Sequence, residues 1–512
     1  MESDSIPGMT SPRLSRRQLV VGGAALGVAL HPRAGRAQPR ARGHIIAGLS
    51  ERMLTLDPAN HYSISSTSVL RHVYDPLLDV TNDDRFVPAL AESWKALDNT
   101  TWRFTLRKDV RFHDGTPFTA DSVVFTLKRV RDNTKLIKSF VYQDIDEVRK
   151  DDDFTVTVTT KRPFGSLHAH LTMLGMLPAA AAGNEDAFFA RPVGTGPFRF
   201  VSWTHGDHID LEANARYWRP SIPKVDKLSV RFIPELSTRA AALRAGEIHV
   251  IDRVWPDMVA TLKATPGIKV HDTPAVEAQR WHFQLAREAG KDPRVRKAVS
   301  LAIDRNTIIK ELLLGYARPV VSPIPPGLIG HTNLGQKPYD PDRARAILKQ
   351  AGHQNLSLDF VLMKDLYPKQ LEIAQAVAAM LGDVGIKVNI RNLEIATARE
   401  QRTAGNYDLF YSGWAHMPHD PDWYFGQWFT RAGAEKMTRF NDPRVEQLIA
   451  EGRVPDPKIR QHKYEEIQKI LWADEPEIWP YYSVAIYAVS DKLRNFEARR
   501  DYYVLLHEVA IA

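Results

Sequence analysis

Two imidazoles and a thioether lie close together in Trp414-Ala415-His416-Met417-Pro418-His419-Asp420. Donors of these types in one loop could face a metal ion or a metal chelate. Pro418 breaks any helical i, i+3 alignment of His416 with His419, so the spacing favours an ordinary polar loop over direct ligation. His113-Asp114 resembles a catalytic dyad, but it sits in turn chemistry, Asp114-Gly115 before Pro117, with no nucleophile nearby in the chain. Gly194-Thr195-Gly196 would suit a phosphate at the mouth of a helix; here it opens a strand, which makes it a structural feature. In Arg280–Leu285, Trp281 and Phe283 share one strand face, and His282 and Gln284 the other. Such aromatics either stack on flat or apolar parts of a ligand or pack a core. The chain has no HExxH, no GxSxG, no P-loop and no cysteine. No enzyme is expected. A secreted metal-dependent hydrolase using His416, His419 and an acid is the remote alternative.

These residues need a scaffold, and composition bounds it. At 512 residues two or three domains are expected. With 44% apolar and 25% charged residues there is ample material for large cores. The N-terminus reads as an export signal. Ser15-Arg16-Arg17 precedes an apolar run from Leu19 to Leu30, and Gly35 and Ala37 stand at the −3 and −1 positions of a cleavage site. The arginine pair indicates a twin-arginine (Tat) route, with residues 1–37 as the signal peptide. The lack of cysteine excludes disulfides, thiol catalysis, Cys-based zinc sites and a lipid-modified cysteine, so a periplasmic protein free of any anchor is expected. Residues 1–37 carry five Arg against Glu2 and Asp4, a net of +3, so the mature chain carries 7 − 3 = +4. Acids and bases are interspersed, which argues against nucleic acid as a partner. Outside the leader no apolar run is long enough for membrane insertion.

The elements follow from periodicity. Trp102, Phe104 and Leu106 alternate with Arg103, Thr105 and Arg107, the pattern of a half-buried strand. After the turn at Asp114-Gly115, Thr119 is placed to cap a helix carrying Val123, Leu127 and Val130. Phe154, Val156 and Val158 mark another strand, and residues 192–218 a β-hairpin turning at Gly206-Asp207. Residues 228–232, a helix capped by Ser237, and residues 247–252 form a strand-helix-strand crossover. Beyond residue 276, Asp292-Pro293, Asp304 and Asp340-Pro341 are helix starts. Strands at 356–363, 386–390 and 407–414 alternate with helices, predicting an α/β unit with a mainly parallel sheet.

The run Glu92-Ser93-Trp94, then Leu106–Phe125 (LRKDVRFHDGTPFTADSVVF), resembles the signature segment of the family 5 extracellular solute-binding proteins, the dipeptide-, oligopeptide- and nickel-binding components of ABC importers. GTGPF, NARYW, STRAAALRAGEI, KDPRVRKAVSLAIDR, YDPDRARAILKQAG and YDLFYSGW are similar to the same family, in order, over about residues 44–495. The resemblance implies a two-lobed α/β periplasmic-binding-protein-like fold (type II) with the extra inserted subdomain of the peptide-binding group. Lobe 1 would combine residues 38–83, 186–273 and 483–512, with 84–185 inserted, and lobe 2 would span 276–482. The crossings near Pro274 and near Tyr481–Val484 would form the hinge. It further implies a small-molecule or peptide ligand held between the lobes, no cofactor, delivery to a membrane permease, and a monomer. A short peptide or peptide-like solute is the main reading; a nickel chelate, an opine or an oligosaccharide is the alternative.

In peptide-binding relatives an aspartate three residues after the strand-end tryptophan clamps the ligand's α-ammonium group. Here that tryptophan is Trp414 and the matched position holds Met417. The Asp-Pro that follows in the family is present as Asp420-Pro421, where Asp420 either replaces the clamp or caps the next helix. The resemblance places the loop with His416, Met417 and His419 against the ligand. It puts Lys364 near an arginine that pairs with a ligand carboxylate, and Ser50, Glu51 and Met53 after the first strand, facing the cleft; Glu51 is either a partner for a cationic ligand or a solvated loop acid.

Overall fold

The computed structural model describes residues 43–353, 355–435 and 437–512. The expected export signal, residues 1–37, lies outside the described residues. The described chain is a mixed α/β structure organised on a twelve-stranded sheet.

One end of that sheet is built around His44–Leu49, which buries Ile45, Ala47 and Leu49. It pairs in parallel with Lys227–Phe232 on one side and Val250–Ile251 on the other, so Ala47 faces both Val230 and Val250. The connection between those neighbours is the helix Leu236–Arg244, and this crossover is parallel, as the spacing predicts. Ser237 lies inside the first turn rather than at its cap; Glu235 takes the N-cap position without a side-chain bond. The hairpin Phe198–Thr204 and His208–Ala213 completes this edge. Gly194 and Gly196 sit against the end of the helix Ile64–Val73, where Gly196 N–H donates to the Val73 carbonyl at 2.9 Å. A Cβ on Gly194 would stand 1.9 Å from that same carbonyl oxygen. The glycines are there for close backbone approach.

At the other end Ser357–Met363 pairs in parallel with Lys387–Leu393 and with Leu409–Ala415. The helix starts behave as their sequence predicts. Asp292 and Asp340 each accept from a first-turn N–H with proline following, Asp304 accepts from Asn306 and Thr307 N–H, and Gly352 ends its helix at φ +79°.

The sheet is mixed rather than mainly parallel. Leu409–Ala415 pairs antiparallel with the long strand Ile268–Phe283, which pairs antiparallel with Tyr482–Ser490. The chain between these two long strands is a whole unit of strands and helices and no single helical crossover, so nothing forces them parallel. The register between them shifts between Pro274 and Ala278, where the long strand passes from Tyr482–Ser490 to Leu409–Ala415 as its main neighbour.

A separate antiparallel sheet is formed by Ala91–Ala96, Thr101–Leu106, Thr155–Thr160 and Ile145–Asp152. The helix Ala120–Asp132 covers it through Val123, Leu127 and Val130, which pack with Trp102, Phe104, Val156 and Val158. Thr119 holds the N-cap position but its side chain makes no cap bond. His113 is structural: Gly194 N–H donates to its Nδ1 at 3.2 Å and its Nε2 meets Gly196 O at 3.0 Å.

Candidate functional site

The strand Leu409–Ala415 delivers the loop that carries His416, Met417, His419 and Asp420, and the fold sends these side chains in different directions. Trp414 and Met417 line a cavity of about 490 Å³. His416 turns into the core, edge-on to Tyr424 at 5.3 Å, where burial lowers its pKa to about 3 and keeps the imidazole neutral. His419, at φ +54°, is buried between two carboxylates: Nδ1 lies 2.7 Å from Asp84 and Nε2 3.6 Å from Asp501. Burial opposes its charge, but the facing carboxylates of Asp501 and Asp84 outweigh that and raise its pKa. Asp420 is buried too. Both of its oxygens accept from Arg460 at 2.7 Å, and one also accepts from Asp422 N–H at 2.9 Å. The N-cap of the helix Asp422–Trp428 is Pro421, and Asp420, bound to Arg460 and to the first helical N–H, is no free partner for a ligand ammonium.

The cavity draws its wall from distant parts of the chain. Tyr62, Lys138, Phe140 and Met173 stand on one side, and Met363, Tyr367, Arg402 and Trp428 on the other, with Trp423 joining them. Trp423 contacts Tyr62 at 5.7 Å, Phe140 at 5.8 Å and Trp414 at 5.4 Å between ring centroids. This is an aromatic box suited to flat or apolar ligand groups. Behind Trp428, Arg280 stacks on its ring at 3.7 Å and pairs with Glu477 at 2.5 Å, both fully buried. Tyr424 OH donates to Glu477 at 2.8 Å.

Lys138 Nζ donates to the Pro58 and Met173 carbonyls at 2.8 and 2.9 Å, and burial lowers its pKa to about 7. Two of its three donors are thus used. Arg402 lies on the helix Ile395–Ala404 with its guanidinium 5.8 Å from the Trp428 ring and 5.6 Å from Phe410. Its Nε is buried and unpaired. Arg399, exposed one turn earlier, reaches the same cavity. Among the described residues no Asp or Glu lines it.

A smaller cavity of about 80 Å³ adjoins it through Leu366 and Tyr367. Glu277 and Arg253 line it, and Tyr502 OH donates to Glu277 at 2.7 Å. Gly413 separates the two spaces: a Cβ there would stand 2.6 Å from Gln279 Nε2 and 2.8 Å from Glu277 Oε1.

Several expected contacts fall elsewhere. Trp281 and Phe283 are fully buried core residues, because their strand is central and covered on both faces; Trp281 packs on Phe360 and Tyr411. On the opposite face His282 stacks on Phe410 at 5.2 Å. Lys364 pairs with Glu394 at 3.0 Å on the surface. Ser50 is bound to Asp252, backbone and hydroxyl alike. Glu51 accepts from Ser63 and pairs with Arg253 at 3.1 Å, so its charge is already answered. Met53 is buried. Sequence reasoning missed Lys138, Arg402, Trp423 and Trp428. The aromatic density of Asp422–Trp428 was a usable signal for the tryptophans; nothing local marks the two cations.

Comparison with known proteins agrees with this architecture. Residues 85–436 match the model of the bacterial extracellular solute-binding proteins, family 5 (middle). The glutathione-binding protein GsiB of Pectobacterium atrosepticum is 28% identical over 510 residues, 96% of this chain and 98% of its own. The periplasmic binding protein DppA from Helicobacter pylori, solved with the peptide STSA, superposes with a TM-score of 0.80 at 27% identity, covering 92% of this chain and 98% of that one. AgaA of A. tumefaciens R10, solved with agropinic acid, superposes with a TM-score of 0.80 at 26% identity, covering 92% and 99%.

Proposed function

Because this chain belongs to the family 5 extracellular solute-binding proteins, we propose that it captures a short peptide or peptide-like solute between its two lobes and delivers it to the permease of an ABC importer. The observation that carries this reading is the cavity of about 490 Å³, lined by Tyr62, Lys138, Phe140, Met173 and Tyr503 from the segments assigned to lobe 1 and by residues between Met363 and Met437 from those assigned to lobe 2. A solute there touches both walls only when the lobes are together, so binding favours that arrangement. In this reading lobe 1 comprises residues 38–83, 186–273 and 483–512 with 84–185 inserted, and lobe 2 comprises 276–482. The hinge is the pair of strands at Pro274 and Tyr481–Val484, which the register shift after Pro274 supports. Trp414 and Met417 contact the solute, with Tyr367, Trp423 and Trp428. The protein acts as a monomer in the periplasm after removal of residues 1–37, without a lipid anchor and without catalysis. No helix among the described residues is long and apolar enough to cross a membrane, which fits this placement.

A thermal-shift screen tests the reading. The purified protein is heated with dipeptides to pentapeptides, N-acylated peptides, sugars, opines and nickel with or without histidine. A solute that binds only the folded form raises Tm by mass action. A shift with peptide-like compounds is expected. A shift confined to sugars or nickel-histidine would overturn the peptide-like assignment, and no shift with any class would overturn the receptor reading.

A further inference from the structure

Arg402 and Arg399 line the cavity beside the uncharged Met417, and no Asp or Glu among the described residues lines it. Resting on the receptor reading above, we propose that the solute is an acid without a free ammonium group, an N-blocked peptide or a similar peptide-like carboxylate, and that Arg402 anchors its carboxylate.

Arg402 is the strongest indication. Its Nε is buried without a partner. The groups that act on its charge are Tyr407, Arg280, Arg399 and Tyr367, none of them a carboxylate. Its Nε has lost water without gaining a partner while the rest of the side chain stays half-exposed, and a bound carboxylate offers the guanidinium a planar, two-oxygen partner. Arg280, just behind Trp428, does have its acid in Glu477, so the fold supplies a carboxylate to the deeper arginine and withholds one from the arginine that faces the cavity. On the opposite wall Lys138 keeps one donor unused after serving two carbonyls.

The other half of the argument is what an ammonium group would find. Asp420 is held by Arg460 on both oxygens. Glu51 is taken by Arg253 and Ser63. Glu277, the nearest remaining acid, lies behind Gly413, accepts from Tyr502 and faces Arg253. A peptide ammonium placed beside Met417 would be desolvated among methionine and tryptophan side chains with Arg402 adding repulsion, whereas an acylated nitrogen carries no charge to answer.

The test is titration calorimetry with matched probes: alanyl-glutamate, N-acetyl-alanyl-glutamate, and N-acetyl-alanyl-glutamine amide, which lacks both carboxylates. The acetylated acid is expected to bind at least tenfold tighter than the free amine, and the amide to bind at least tenfold more weakly than the acetylated acid. Arg402→Gln is expected to weaken the acetylated acid at least tenfold and leave the amide unchanged. Met417→Asp, at a half-buried cavity position that does not depend on Arg402 folding normally, is expected to reverse the preference toward the free amine. Equal or tighter binding of the free amine by the unaltered protein, or no preference change in Met417→Asp, would overturn the inference; so would absence of binding by all three probes. A response of the thermal-shift screen to neutral or cationic solutes alone would overturn it while leaving the receptor reading intact, whereas silence across that screen would remove the receptor reading itself.

Discussion

His419 shows how one side chain can belong to a different interaction from the one its neighbours suggest. It sits two residues from Met417, yet its ring is buried between Asp84 and Asp501, groups far away in the chain. Arg500 also reaches Asp84, and donates to the Pro326 carbonyl at 2.6 Å, while Arg499 holds Asp501. The imidazolium therefore completes a buried charge cluster joining the loop after Leu409–Ala415 to the chain end. Its pKa is raised on folding, so its contribution is fully present below the unfolded value of 6.5 and is lost as pH rises through the higher folded value. In urea unfolding followed from pH 6 to pH 9, the stability of the unaltered protein relative to His419→Asn should fall across that window, since the other buried histidines titrate alike in both. The substitution should cost about 3 kcal/mol at pH 6, since it leaves two carboxylates short of a positive partner. An unchanged slope in the variant would show that the cluster does not depend on the charge.

At the scale of elements, close approach matters more than hydrogen-bond count. The turn at Gly194–Gly196 lets the hairpin Phe198–Thr204 and His208–Ala213 lie against the end of the helix Ile64–Val73. Gly194→Ala places a methyl 1.9 Å from a backbone oxygen that no rotamer change can move. A loss of about 3 kcal/mol in chemical denaturation is expected, at the upper end of what overpacking costs. Equal stability would mean that the helix end shifts freely. The same elements show how periodicity served. The strand Thr101–Leu106 and the Asp-Pro helix starts follow from local chemistry, and they form as their residues predict. The direction of the long strand Ile268–Phe283 does not follow from local chemistry. Alternating strands and helices suggested parallel pairing, and the antiparallel meetings of this strand with Tyr482–Ser490 and with Leu409–Ala415 make the sheet mixed.

For the whole molecule, the Phe164–Ser166 corner meets the Asp422–Arg453 region, and on the proposed two-lobe reading this contact joins the lobes when they are together. Gly165 N–H donates to the Arg453 carbonyl at 2.6 Å, Ser166 donates to Asp422 at 2.9 Å, and Arg453 pairs with Asp144 at 3.2 Å. A Cβ on Gly165 would lie 2.1 Å from the Val454 oxygen. Gly165→Ala should therefore favour a more open arrangement. Solute affinity is expected to fall about tenfold, a coupling within the range typical of two-state proteins, and small-angle scattering of the free protein should show a larger radius of gyration. Unchanged affinity with unchanged scattering would mean that this corner does not limit closure.

The sequence by itself determined the family, the α/β class and several helix starts, because signature segments, caps and periodicity are written over short stretches of chain. Only the tertiary structure decided which polar side chains remain available. Asp420, Glu51 and His419 look free in the sequence and are answered in the fold by Arg460, Arg253, and the Asp84–Asp501 pair. Arg402 looks unremarkable in its helix and is left unanswered. Charge pairing is a property of distance in space, and these partners stand between 40 and 335 residues apart in the chain.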